Sequence, residues 1–263
     1  MTALTALPPN PVHSGLTAQG WNWTLEQLKT ALTYHYPEVV IGQSYTTTSG
    51  STEVDIDLTD SNYLSPYLCI YVYGATTLTV NWGDSIIDEI EVAGAGNLYL
   101  PHTYASTGKY TIAFHTQNNV VISIVGQYRH VGLLSPTNSL SYSSVYGSSI
   151  TAIRLGNNVN LSQYGLAELA NLRYLTIPNT VTSIGSDILF LSNSIKCIIV
   201  PASVTSLPAS VFESCEQLQI ISLPPTITSI GTYAFSGAVV NHITLIEGIQ
   251  TVGSYFFYNC KGP

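Results

Sequence analysis

The chain has 263 residues, of which 45% are hydrophobic and only 8% charged, about a third of the usual charged share. A net charge of −8 leaves too few Lys and Arg to face the phosphates of nucleic acid or an anionic membrane surface. No run of about 18 apolar residues is present to span a bilayer, so the polar surface is built from Ser, Thr, Asn, Gly and 18 Tyr, a composition common among extracellular β-proteins.

Acidity is uneven. Residues 1–149 hold 3 basic and 10 acidic side chains, whereas 150–263 hold 4 and 5, which suggests two different parts. The start, MTALTALPPNPVHSG, lacks the basic and apolar regions of a secretory signal. Either a signal has been removed or the protein reaches the outside by another route, such as a virion. Within the N-terminal segment 1–50, Thr24-Leu-Glu-Gln27 forms a capping box that opens one short helix toward Leu32, ended by Pro37. No role follows from these residues.

Residues 51–127 read as a β-sandwich. EVDIDL alternates Val54, Ile56 and Leu58 with acids, as a half-buried strand does. LCIYVYG, TLTVNW, KYTIAFH and NVVISIVG supply further strands. NWGDS places Gly83 and Asp84 in a turn after a strand, and HTYASTGKYTIAF sets His102 and Tyr104 before a turn at Gly108. The Ser-rich stretch 128–149, with seven serines among residues 135–149, is a linker or, because Leu140, Tyr142, Val145 and Tyr146 interrupt it, a cap on the C-terminal part.

Residues 150–263 repeat themselves every 22–23 positions, in five rows beginning at Ile150, Arg173, Lys196, Gln219 and Asn241. The pattern L-x-x-L-x-L recurs as Leu172/Leu175/Ile177, Ile195/Ile198/Val200, Leu218/Ile221/Leu223 and Val240/Ile243/Leu245. Such a period makes a solenoid, since one row cannot cover its own apolar groups and neighbouring rows can. Each row has one short strand, a proline after most strands (178, 201, 224), a return to the core at Val181, Val204, Ile227 and Ile249, and a bulky closer at Leu189, Phe212, Phe235 and Phe257.

Chemistry is sparse. Metalloprotease, phosphate-loop, nucleophile-elbow and paired-cysteine motifs are all missing, so no enzyme, cofactor or metal is expected. His102 is expected to be packed. The acids Glu53, Asp55, Asp57 and Asp60 read as a solvated face that keeps an edge strand from aggregating. A second group, Asp84, Asp88, Glu89 and Glu91, comes after the WGD turn. Cys215 and Cys260 share a phase two rows apart, about 10 Å and beyond disulfide reach. With Cys197 on a strand and Cys69 in the other part, four free thiols are expected.

Side chains that point away from the solenoid core form a candidate ligand-binding strand face: Tyr174, Thr176, Cys197, Ile199, Ile220, Ser222, His242 and Thr244. Ala152 and Arg154 begin its two columns in the first row. The last row, with Phe256, Phe257 and Tyr258, has no polar cover, so the native protein continues there or that end packs on something, another copy of the chain included.

Two resemblances organise these motifs. P-x-[ST]-[VI]-T-S-[IL]-[GP]-x-x-[AV]-F-x-x-C, clearest at 201–215 and 224–238, resembles the BspA-type leucine-rich repeats of bacterial surface proteins. NWGDS, with HTYASTGKYTIAF after it, resembles a PKD domain, an immunoglobulin-like spacer or binding module, with Ser85 standing where such domains carry glycine. The expected fold is mainly β, a PKD-like β-sandwich followed by a short BspA-type leucine-rich-repeat solenoid of about five rungs. The resemblance implies a non-enzymatic cell-surface adhesion protein whose partners are host matrix or mucosal proteins or glycans, or neighbouring bacteria. A structural component of a phage or phage-like particle is the alternative.

Overall fold

The computed structural model describes residues 51–61, 64–65, 67–124, 149–157, 159–161, 163, 165–239, 242–243 and 248–260. The predicted helix at Thr24–Leu32, and the Ser-rich stretch up to residue 148, lie outside them. The first strands are β1 (Thr52–Leu58), β2 (Tyr67–Val72), β3 (Thr76–Asn81), β4 (Ile87–Val92), β5 (Gly96–Pro101), β6 (Gly108–Thr116) and β7 (Ile122–Ile124). The repeats add β8 (Ile150–Arg154), β9 (Val159–Asn160), β10 (Tyr174–Thr176), β11 (Cys197–Ile199), β12 (Ser206–Leu207), β13 (Ile220–Ser222), β14 (Ser229–Ile230), β15 (His242–Ile243) and β16 (Thr251–Val252).

Alternation in β1 buries Val54, Ile56 and Leu58 against a core that also takes Leu78, Val80, Ile112 and Phe114 from β3 and β6. A second sheet supplies Ile70, Val72, Leu100 and Ile122 to the same core. Each such side chain, fully buried, stabilises the fold by about 1.5–3 kcal/mol. β4 forms where the sequence showed mainly acids, and β5 forms in a stretch not singled out as a strand. The turn after Trp82 reverses the chain, so that β4 pairs antiparallel with β3 from Thr76↔Val92 to Asn81↔Ile87.

The two parts are joined by pairing in both layers. One six-stranded sheet runs β10-β8-β1-β6-β3-β4, and the other sheet runs β5-β2-β7-β9. β8, the strand of the first row, docks antiparallel on β1, with Glu53 opposite Arg154 and Val54 opposite Ile153. β9, the second strand of that row, docks parallel on β7. The expectation that the acids of β1 guard an edge strand is therefore corrected. β1 is central: the first repeat strand satisfies its outer edge, and Arg154 pairs with its Glu53 and Asp55.

Within the rows most predicted inward positions are buried. Ile177, Leu223, Ile249 and Phe257 are half-buried, and Val252, expected to turn into the core, is exposed in the last row, which has no following row among the described residues to cover it. Leu175, Ile198, Val200, Ile221, Val181, Val204, Ile227, Ile184, Leu207 and Ile230 are buried, as are the closers Leu189, Phe212 and Phe235. Phe235 packs between Phe212 and Phe257, with ring centroids 5.5 Å away on each side. In the last row Val252, Tyr255 and Tyr258 are exposed.

A third line of backbone hydrogen bonds, along the turn side, is not encoded by any hydrophobic pattern. Ser210, Phe212 and Ser214 N–H groups donate to Thr232, Ala234 and Ser236 carbonyls at 2.9, 2.9 and 2.7 Å. Tyr233, Phe235 and Gly237 do the same to Ser254, Phe256 and Tyr258. Each of these turns contains two left-handed residues four apart: Asp187/Leu191, Ser210/Ser214, Tyr233/Gly237 and Tyr255/Asn259. Rows also approach closely: a Cβ on Gly231 would lie 2.4 Å from the Ala209 nitrogen, so only glycine fits.

The junction between the second and third rows differs from the others. Among the described residues no strand pairing joins β10 to β11, and the second ladder lapses there too, between the Leu161–Ile184 bridge and β12. The two rows are held there by the turn-side line, at 3.2, 3.3 and 3.2 Å, by side-chain bonds from Ser203 Oγ to the Val181 carbonyl and from Cys215 Sγ to the Leu189 carbonyl, and by the continuous apolar core.

Candidate functional site

Strand pairing aligns the predicted face by backbone position. Cys197 lies opposite Ile220 and Ile220 opposite His242, while Ile199 lies opposite Ser222. Tyr174 and Thr176 lie opposite Ala152 and Arg154, but belong to the six-stranded sheet rather than to that of β11, β13 and β15. Thr176 is exposed, and Tyr174, Cys197, Ile199 and Ser222 are half-buried. The side chains of Ile220 and His242, and all of Thr244, lie outside the described residues.

In the first row the face is not open as expected. Ala152 is buried between its neighbours Tyr174 and Asp55, and the Arg154 side chain is only 11% exposed. The Arg154 Nε donates to Glu53 Oε2 at 2.7 Å, and its two terminal nitrogens donate to the Asp55 carboxylate at 2.8 and 2.5 Å. Thr111 Oγ1 donates to the same carboxylate at 2.8 Å. The Asp55 hydrogen bonds, against the opposing effect of burial and with help from Glu53, raise the guanidinium pKa further above its already high value. Sequence reasoning missed this fork. Its signal was a lone Arg in an apolar row and a strand with acids at every second position.

From the second row the face continues onto the two-sheet unit. Thr176, Arg154, Glu53, Ala113, Asn81 and Ile87 stand successively opposite one another from β10 to β4. One surface thus passes from Thr176 of the second row to β4, an acidic edge strand.

The WGD and HxY motifs meet in one cluster. His102 stacks on Trp82 with centroids 4.5 Å apart and planes 7° from parallel, and its Nε2 lies 2.8 Å from Asp84 Oδ2. Trp82 Nε1 donates to Asp88 Oδ2 at 2.7 Å, and the Tyr104 hydroxyl donates to the Trp82 carbonyl at 2.8 Å. Desolvation pulls the Asp84 carboxyl up, but the hydrogen bonds with His102 and the Ile86 N–H prevail and hold it below its ordinary value. Burial, with Asp84 nearby, raises the Tyr104 phenol. These groups are spent on one another, an arrangement that ties two loops together.

Thiols sit in the repeats as packing groups. Cys215 Sγ donates to the Leu189 carbonyl at 3.2 Å and Cys260 Sγ to the Phe235 carbonyl at 3.0 Å. Ser192 occupies the same place one row earlier and donates to Leu166 at 2.9 Å. Desolvation pushes Cys197 and Cys215 up to about 12. Cys197, Cys215 and Cys260 are free, and the Cys69 side chain lies outside the described residues. No group of three metal-ligating side chains is present among the described residues, nor is any helix long and apolar enough to cross a membrane.

Comparison with known proteins adds a family to the geometry of the rows. Residues 138–262 match the model of the BspA type leucine rich repeat region, in six copies. This part of the chain is thus similar to a BspA-type leucine-rich repeat region. The match begins ahead of the first of the five rows and counts one more copy.

Several solved structures are similar to the chain, among them these three. A leucine-rich repeat protein from Bacteroides ovatus is 20% identical, with TM-score 0.41 over 42% of this chain and 29% of that one. A leucine rich cell surface protein from Faecalibacterium prausnitzii is 18% identical, with TM-score 0.36 over 45% and 39%. A leucine-rich repeat protein from Eubacterium ventriosum is 20% identical, with TM-score 0.27 over 41% and 42%. The chain thus covers less than half the length of each. Among curated proteins none matches at a significant level.

Proposed function

We propose that the chain is a non-enzymatic binding protein of a bacterial surface, and that the strand face of its BspA-type region contacts a protein partner: a host matrix or mucosal protein, or the surface of a neighbouring bacterium. The observation that carries this reading is the half-buried trio Tyr174, Cys197 and Ile199 on the outward side of β10 and β11, the strands of successive rows. Solenoids meet partners with this side, and aromatic residues set among apolar ones make anchors there. The two-sheet unit is read as a PKD-like spacer. Its support is the Trp82–Asp84–His102–Tyr104 cluster, which brings the two motifs of that resemblance into contact.

Surface-plasmon binding to fibronectin, fibrinogen and mucin tests the proposal, with a Tyr174→Ala/Ile199→Ser variant alongside. Saturable binding that weakens by at least about tenfold in the variant, as expected for losing anchor contacts, supports it. Binding to none of these, or binding indifferent to the change, counts against it.

A further inference from the structure

The layer opposite the strand face has a different chemistry. Its strands are β2, β5, β7 and β9, continued along the repeats by β12, β14 and β16. These read YLCIYV, GNLYLP, ISI, VN, SL, SI and TV, without a single Asp, Glu, Lys, Arg or His. The six-stranded layer, in contrast, carries Glu53, Asp55, Asp57, Asp88, Glu89, Glu91, Lys109 and Arg154. In a chain of net charge −8, one whole layer is uncharged.

That layer shows tyrosine and amide to solvent. Ile70, Val72 and Leu100 point into the core, so Tyr71 and Tyr99, on the alternate positions, point out. Tyr71 lies opposite Asn97 and Tyr99 opposite Cys69, which sets the two tyrosines on a diagonal, about 7–8 Å apart by strand geometry. Tyr73 extends the row: its ring is 4.8 Å from that of Tyr71, and its hydroxyl accepts from Asn160 Nδ2 at 3.3 Å. Tyr73 and Tyr99 are 47% and 50% exposed. Further along, Ser206, Ser229 and Thr251 lie opposite one another on successive rows.

We infer that this face is a second binding surface, and that it takes a neutral polysaccharide. A polyanion or a basic peptide would find no countercharge on these strands. A neutral sugar chain offers what the face can use: apolar C–H surfaces to lie on tyrosine rings, and hydroxyls that exchange hydrogen bonds with phenols, amides and the Ser/Thr row. A tyrosine ring is also rigid and amphipathic, so little freedom is lost when it is covered. The surface is distinct from the strand face and stands or falls independently of the protein partner proposed there.

Native-gel affinity electrophoresis tests the inference on the full chain, using gels containing hydroxyethylcellulose, xylan, galactomannan or amylopectin. The expected result is retardation in at least one gel that persists when salt is raised to about 1 M, because no charge pair is involved. Tyr71→Ala/Tyr99→Ala should weaken it by about tenfold, the loss expected for two stacking contacts. Tyr99→Phe, which keeps the ring, and Tyr174→Ala, on the other layer, should leave it in place. Should the double variant fail to fold, Tyr99→Ala alone carries the comparison. Absence of retardation in all four gels, retardation that salt abolishes, or retardation that survives loss of the tyrosines overturns the inference.

Discussion

Single residues carry several of the fold's constraints. Ser85 has φ 76°, in the left-handed region, at the place where the WGD resemblance expects glycine. A non-glycine residue there costs about 1–2 kcal/mol, partly offset by the greater freedom glycine loses on folding. Ser85→Gly should therefore stabilise the chain by about 0.5–1 kcal/mol. Thermal melting checks this, and an unchanged or lowered midpoint would show that the Ser85 side chain compensates for its backbone. His102 illustrates what residue type alone conveys. Its packed role was legible from its place in the HxY motif, but its stacking on Trp82 depends on where two separate loops arrive.

At the scale of elements, the rows were legible because burial imposes a period. Leu175, Ile198 and Ile221 lie where the repeat put them, and so do Phe212 and Phe235. The paired left-handed turns were not legible, since Asp187, Ser210, Tyr233 and Tyr255 share a backbone conformation and no side-chain chemistry. The pairing of β8 with β1 was hidden for another reason: an antiparallel partner about a hundred residues away leaves no local trace. Only Arg154 hinted at it. Arg154→Ala should cost about 2–3 kcal/mol, between the values for exposed and buried pairs, because Glu53 and Asp55 lose their shared cation in a partly buried place. Arg154→Lys should recover only part of that, since a point charge cannot make the fork. Urea unfolding of the two variants measures both. The candidate face was legible as a set of alternate positions, whereas its extension from Thr176 to Ile87 required the topology.

On the scale of the whole molecule, hydrogen bonding divides the chain differently from composition. The ladders run unbroken from the two-sheet unit into the first two rows, then lapse between Thr176 and Cys197. Native-state hydrogen exchange should therefore find two cooperative units. Amides of β1, β6 and β8 should be protected together, those of β11 and β13 should form a second set, and Asp187, Leu189 and Leu191 should exchange by a lower-energy opening. Uniform protection across that junction would show that the shared core and the turn-side line suffice to couple the two.

The constant length of the rows also makes the solenoid a ruler. Its zero is held by β1 and β7, which occupy the first row's edges. Each row of 22–23 residues then advances the stack by about 4.8 Å. Removing one full row would bring everything beyond it closer by one graduation and leave the remaining contacts in phase. Removing half a row would set every closer, every left-handed turn and every glycine approach against the wrong neighbour. Reach is thus adjustable in this architecture only in whole steps.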